Sequence, residues 1–353
     1  MSSSNSPNKG TYWCSWFDAE FPAAAIDTNF FTHVYYAFLS LNENTFHLEI
    51  DAPTAVLLNN FTTTLHNKRP AVKTLFSIGG ASQGTLIFSR MASNRESRRR
   101  FILSTIEVAR KYAFDGVDLD WEFPETPDDM NNFGSLLDEW RAAVNNEANK
   151  TSRPKLLLVA ATRYSPTIDW LNLTYPVDSI NRNLDWLNAM CYDYHGSWDV
   201  SATGAPAALY DPNPNGNLST SYGLQSWIGH GLAKEKLVMG LPLYAHTWQL
   251  RDEALTGIGA PAVGVGPGNE GTMSYVEVQN FNAQNNAIVV FDQQTVSTYS
   301  VAGRSWIGYD DVQSTRSKVA YARQQNLRGY FFWHVGCDQN WNISREASIT
   351  WGP

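Results

Sequence analysis

Eight short runs rich in β-branched and aromatic residues return along this chain of 353 residues, at Thr11–Trp16, His33–Leu41, Lys73–Ile78, Gly116–Phe123, Lys155–Thr162, Trp186–Tyr194, Leu237–Leu243 and Gly329–Val335. Most are near-continuous apolar stretches, which is how parallel strands buried on both faces read. Helix-like stretches separate them, clearest at Arg95–Tyr112, Asn131–Ala148 and Thr315–Gln325. Eight strands, each followed by a helix or a long connection, predict an α/β fold, the (β/α)8 TIM barrel. The interval before the eighth run is too long for one crossover. It holds a Gly- and Pro-dense loop at 257–271, then strand-like Ala287–Asp292 and Ser297–Val301 in a hairpin-like order. The expected organisation is therefore a barrel over 1–246 and 307–353, with a small α+β insertion domain over 247–306.

The fourth run carries the chemistry. In Asp115-Gly-Val-Asp-Leu-Asp-Trp-Glu-Phe-Pro124, the carboxylates Asp118, Asp120 and Glu122 recur at intervals of two. On a strand they would share one face while Val117, Leu119, Trp121 and Phe123 share the other. Acids so close repel one another and are costly to desolvate, so stability alone would not select them. They are expected to share a proton, with at least one carboxyl pKa raised. Glu122 comes last, just before Pro124, at the strand end that faces the mouth of such a barrel. A carboxyl held protonated there is a general acid. A hard-cation site is the alternative, but such sites gather carboxylates from a loop alternating with Asn and Gly, which this segment lacks.

The bulk composition narrows the partners. A net charge of −8 argues against nucleic acid, whose phosphates demand a basic surface, and favours a neutral substrate. Thirteen Trp residues exceed what core packing asks and suit a cleft that stacks sugar rings. Cys14, Cys191 and Cys337 lie far apart and in no metal-ligand spacing, so no disulfide framework is implied. A single Cys14–Cys337 bridge stays open, since both lie near strand ends that barrel closure makes neighbours. The start, Met1 to Pro7, lacks the apolar stretch of a signal peptide, and no segment has the apolar length of a membrane span. A soluble chain without membrane association is expected, with prior removal of a leader left open.

The acidic run resembles the D-G-x-D-x-D-x-E signature of glycoside hydrolase family 18, matched at Asp115, Gly116, Asp118, Asp120 and Glu122. Three further segments are similar to that family: Ser77-Ile78-Gly79-Gly80, Met190-Cys191-Tyr192-Asp193, and Trp333 in Phe331-Phe332-Trp333. Asp338-Gln339-Asn340-Trp341 brings the likeness nearest to plant class V chitinases. The resemblance implies retaining, substrate-assisted hydrolysis of β-1,4-linked N-acetylglucosamine, an exception to the two-carboxylate scheme. Glu122 would be the acid, Asp120 would orient the acetamido group, Asp118 would share its proton, and Tyr192 would bind the acetamido oxygen.

By the same resemblance Trp333 would lie under the sugar ring, Met190 and Asp193 would contact it, and Asp115, Ser77, Gly79 and Gly80 would support the site. No metal or other cofactor is implied, the partners are chitin or its oligosaccharides, and the protein would be a secreted or vacuolar monomer. Two rival functions remain: a chitin-oligosaccharide-binding lectin on the same barrel, and a hydrolase specialised for lipo-chitooligosaccharide signals. The intact Glu122 favours an enzyme over the lectin. The chain departs from the family at Phe123, where Tyr is usual. On strand alternation Phe123 faces away from the acids, so catalysis should survive. His246, after the seventh run, has no assigned role; a lone His is more often a packing residue than a catalyst.

Overall fold

The computed structural model describes residues 7–213 and 215–353. Residues 1–6, read above for a leader, lie outside that range. Eight strands close a barrel in chain order: Asn8–Cys14, His33–Leu39, Lys73–Gly79, Gly116–Asp120, Leu157–Arg163, Trp186–Met190, Leu237–Pro242 and Gly329–Trp333. The first six pair in parallel with their sequence neighbours. The predicted (β/α)8 barrel is the observed fold, with an antiparallel sheet placed between the seventh and eighth barrel strands.

Most runs end earlier than expected, by a residue or two, and two of them stop shorter still. The fourth ends at Asp120 and not at Phe123, and the sixth ends at Met190 and not at Tyr194. Ladder partners explain the first case: Asp120 is the last residue paired on either side, to Gly79 and to Ala161. Its carbonyl then accepts from the Gly80 amide at 2.9 Å, where the third strand turns away. Trp121 is as apolar as the strand before it and stays buried, but in a loop.

The described residues fall into two compact units. The first comprises residues up to Met190 together with Ser226–Val238 and Leu327–Phe331. Its helices carry clear start signals. Asn94 caps Arg95–Lys111 by accepting from the amides of Glu96 and Ser97, with Arg110 and Lys111 at the far end to suit the dipole. Thr126 and Asp129 form a reciprocal capping box on Pro127–Thr151, and Pro127 stands at the first helical position. That helix buries Met130, Phe133, Leu137, Trp140, Val144 and Ala148, a stripe at helical spacing. Each large apolar side chain buried there contributes roughly 1.5–3 kcal/mol. Glu125 and Thr126 also donate their amides to Asp129, both at 3.2 Å, so the cap fixes the chain soon after Glu122.

The second unit comprises Cys191–Gln225, Met239–Asn326 and Phe332–Pro353. It holds a sheet in the order Ala262–Val265, Tyr244–Leu250, Ser305–Tyr309, Ser297–Ala302, Ile288–Asp292, with Thr272–Ser274 also paired to Tyr244–Leu250. The expected hairpin is present, in register from Ile288 opposite Val301 to Asp292 opposite Ser297. Trp248 and Trp306, both fully buried, meet edge to face at 5.3 Å in the centre of this sheet's core. Cys14, Cys191 and Cys337 are all buried and none is in a disulfide, so the Cys14–Cys337 bridge does not form.

Candidate active site

The acids that the sequence placed on one strand face divide into two environments. Asp118 and Asp120 lie inside the fourth strand and are buried, 0 % and 4 % exposed. Glu122 follows in the loop and is half-buried. Strand alternation therefore reaches Asp120 and not Glu122, whose carboxyl is carried by the loop.

Asp118 sits on an aromatic floor. Tyr12 stacks on Tyr35 at 4.6 Å and meets Phe331 edge-on at 5.5 Å. The Tyr12 hydroxyl donates to Asp118 Oδ2 at 2.7 Å and accepts from Asn188 Nδ2 at 3.1 Å. Ser77 donates to the same Oδ2 at 2.7 Å. Trp186 in turn donates to the Tyr35 hydroxyl at 2.9 Å, fixing the ring beneath. Burial and the charges of Asp118 and Asp120 push the Tyr12 hydroxyl far above its ordinary range, so it remains a donor. Ser77 was expected to support the acids; Tyr12 and Asn188, which no local motif marks, were not.

Burial pushes the Asp118 carboxyl up to about 6, against the pull of the Ser77 and Tyr12 hydrogen bonds. Burial raises Asp120 well above the usual carboxylate range, and the charges of Glu122 and Asp118 raise it further. Both Asp118 Oδ1 and Asp120 Oδ1 are buried with no hydrogen-bond partner. Removing a carboxylate from water disfavours its charge, and a neighbouring carboxylate disfavours it again.

That burial sets a stability cost with a defined sign. A raised folded pKa gives a stabilising contribution that is complete below the unfolded value, about 3.9, and is lost as pH rises through the folded value, about 6 for Asp118. At neutral pH the buried charge therefore weighs against the folded state. Asp118→Asn keeps a carbonyl acceptor and removes the charge, so its thermal midpoint at pH 8 should exceed the parent's by roughly 2–4 °C. The advantage should vanish by pH 4. A lower midpoint for the variant at pH 8, measured by calorimetry, would show that the Ser77 and Tyr12 bonds outweigh the burial.

Gly79 and Gly80 are glycines for steric reasons. Gly79 has φ +110°, and a Cβ there would stand 2.3 Å from the Asp120 carbonyl oxygen. Gly80 has φ +75°, and a Cβ would stand 2.5 Å from the Phe38 ring. Without side chains at these two positions, the chain can pass the Asp120 carbonyl at Gly79 and the Phe38 ring at Gly80. Asp115 lies before the start of the fourth strand, away from Glu122. Lys73 Nζ lies 2.7 Å from its carboxylate and His66 Nε2 3.1 Å, and the Thr74 amide donates to it at 2.9 Å. Burial raises that carboxyl, but these partners outweigh it and hold it below the usual range.

Met190 ends the sixth strand half-buried. In the second unit, Tyr192 is half-buried and meets Tyr244 edge to face at 6.1 Å. Asp193 has φ +60° and accepts at Oδ1 from the Tyr244 hydroxyl at 2.6 Å. His246 Nε2 lies 2.9 Å from the same oxygen, with the ring buried and edge-on to Trp198. The residue left unassigned by sequence is thus a partner of a proposed sugar contact. Trp333 is half-buried at the end of the eighth strand, and its carbonyl accepts from the Leu243 amide at 2.8 Å.

Residues 8–338 match the model of the glycosyl hydrolases family 18. A class V chitinase of Lotus japonicus is 47% identical over 353 residues, covering 98% of this chain and 87% of the relative. Nod factor hydrolase protein 1 of Medicago truncatula is 47% identical over 352 residues, covering 98% and 90%. Among solved structures, a mutant class V chitinase from Nicotiana tobaccum in complex with NAG4 superposes with a TM-score of 0.94 at 41% identity, covering 99% of both chains.

Proposed function

The chain belongs to the glycosyl hydrolases family 18 and is a glycoside hydrolase; from that premise we propose that it cleaves β-1,4-linked N-acetylglucosamine in chitin or its oligosaccharides, with retention and with the substrate's own acetamido group as nucleophile. The observation that carries the reading is the graded carboxylate row, with two buried acids of raised pKa leading to a half-buried Glu122 beyond the strand end. Relatives named as chitinases, and one captured with NAG4, support the substrate class.

In the proposed reaction Glu122 protonates the leaving glycosidic oxygen as the acetamido carbonyl oxygen attacks the anomeric carbon. The C1–O bond breaks and an oxazolinium forms. Asp120 accepts the acetamido N–H and faces the positive nitrogen, while the proton it held passes to Asp118. Water, deprotonated by Glu122, then opens the oxazolinium and restores the β-anomer. Tyr192 is assigned the acetamido oxygen, and Trp333, Met190 and Asp193 are assigned sugar contacts. Asp115, Ser77, Gly79 and Gly80 are assigned support.

Buried carboxylates that share a proton suit a mechanism in which one must be neutral before the reaction and charged during it. No second carboxylate with a nucleophile's separation is invoked. Incubation with N-acetylglucosamine hexamer should yield shorter oligomers appearing first as β-anomers, and cellohexaose should remain intact. Equal cleavage of both, or initial α-anomers, would overturn the mechanism. The relative named as a Nod factor hydrolase supports a second reading, a preference for lipo-chitooligosaccharides. Competition between acylated and unacylated pentamers measures that preference directly.

A further inference from the structure

We infer that Thr85 is a positioning residue for Glu122: its hydroxyl joins the two residues that flank the acid and fixes the direction in which the carboxyl proton is delivered. The inference rests on the reading of Glu122 as general acid. Beyond Asp120 the backbone has no strand ladder to hold it, yet Trp121 is 1 % exposed. The Trp121 indole donates from Nε1 to Thr85 Oγ1 at 2.7 Å, and Thr85 Oγ1 donates to the Phe123 carbonyl at 2.5 Å.

Donor chemistry fixes this direction. An indole N–H can only donate, so the hydroxyl must accept from it and spend its single hydrogen elsewhere. The one hydroxyl hydrogen of Thr85 therefore goes to the Phe123 carbonyl, on the far side of Glu122. One side chain thereby spans the residues immediately before and after the acid.

The clasp has a rigid base. Thr85 opens the helix Thr85–Ala92, which buries Ile87, Phe88 and Met91, and Phe88 stacks on Trp121 at 5.9 Å. The opposite flank is also held. The Arg163 guanidinium lies 5.1 Å from the Phe123 ring and 4.4 Å from the Trp170 ring, at the end of the fifth strand. Phe123, where the family usually has Tyr, is thus engaged through its ring face and its carbonyl. Both neighbours of Glu122 are thereby pinned.

General-acid transfer needs the carboxyl within about 2.6–3.2 Å of the leaving oxygen. A displacement of about 1 Å can cost on the order of 10²-fold in rate. Thr85 touches neither substrate nor reacting atoms in this scheme; it acts through the backbone of the acid.

The test compares Thr85→Val, Thr85→Ser and Glu122→Gln on two substrates: N-acetylglucosamine hexamer, and a dinitrophenyl chitobioside whose leaving group departs without protonation. Thr85→Val should lose roughly 10–100-fold in kcat on the hexamer, with KM within about two-fold. On the dinitrophenyl substrate, read as first-turnover release of dinitrophenolate, its loss should be less than about three-fold, because the acid is not needed in that step. Thr85→Ser should restore the hexamer rate. Thr85→Cys, close in volume and a weak donor, carries the same comparison if circular dichroism shows the valine variant unfolded.

Unchanged hexamer turnover in Thr85→Val, equal losses on both substrates, or failure of serine to restore the rate would each overturn the assignment. Glu122→Gln keeps the two readings apart. If its first-turnover release of dinitrophenolate falls as far as its hexamer rate, the acid assignment itself has failed, and the Thr85 inference falls with it.

Discussion

Glu122→Gln is expected to fold normally, to bind chitin oligosaccharides, and to hydrolyse them about 10²–10⁴-fold more slowly. The amide preserves the shape of the side chain and leaves the buried pair Asp118 and Asp120 in place. It cannot donate an acidic proton or later deprotonate water, so both halves of the proposed reaction fail together. Isothermal titration with the hexamer and initial rates on the same preparation give the two numbers. Retained binding with lost turnover is the expected pair of results. Turnover near the parental rate would remove Glu122 from the chemistry.

Asp120→Asn should produce the second large effect, and a different one. Its carboxyl is buried, and its pKa is raised first by burial and then by the charges of Glu122 and Asp118. In the proposed reaction its negative charge matters most when positive charge appears on the acetamido nitrogen. An electrostatic contact concentrated in the transition state lowers kcat more than affinity when it is removed. A loss of about 10²–10³-fold in kcat, the scale seen for removing one preorganised stabilising group, is expected. Hexamer affinity should change by less than about ten-fold.

The pH–rate curve supplies an independent check. The carboxylates titrate as a set, and a negative charge in that set helps hold protons on its neighbours. Substituting a neutral amide removes that help, so the alkaline limb should move to lower pH. Weakened binding with unchanged turnover would reduce Asp120 to a sugar contact and sink the substrate-assisted mechanism.

The two variants also separate the enzyme from its non-catalytic rival. A lectin on this barrel would bind oligosaccharide without depending on either carboxyl for turnover. The chain keeps Glu122, Asp120 and Asp118 together. Burying two of them is costly, and a binding protein gains nothing from that cost.

By itself the sequence determined the barrel, the hairpin near 288–301 and the location of the acidic row, because each is written in local periodicity. Near-continuous apolar runs mark strands covered on both faces, and acids at intervals of two stand out inside such a run. It also marked Gly79 and Gly80, although the reason became visible only when the Asp120 carbonyl and the Phe38 ring were found where side chains would stand. Where a run ends was not written there. Trp121 and Phe123 are apolar enough for a strand, and the absence of a ladder partner beyond Asp120 takes them out of it.

Tertiary structure alone decided the groups that tune and hold the site, since they come from distant parts of the chain. Tyr12 reaches Asp118 across 106 positions, Asn188 reaches Tyr12 across 176, and His246 reaches Asp193 across 53. Thr85 joins Trp121 and Phe123 across 36 and 38 positions. A hydrogen bond depends on where two atoms lie in space, and periodicity along a strand or helix records only which face a residue takes. The acids were therefore legible as residues, while the burial of Asp118 and Asp120 and the partners of Asp118 were decided by the closing of the barrel around them.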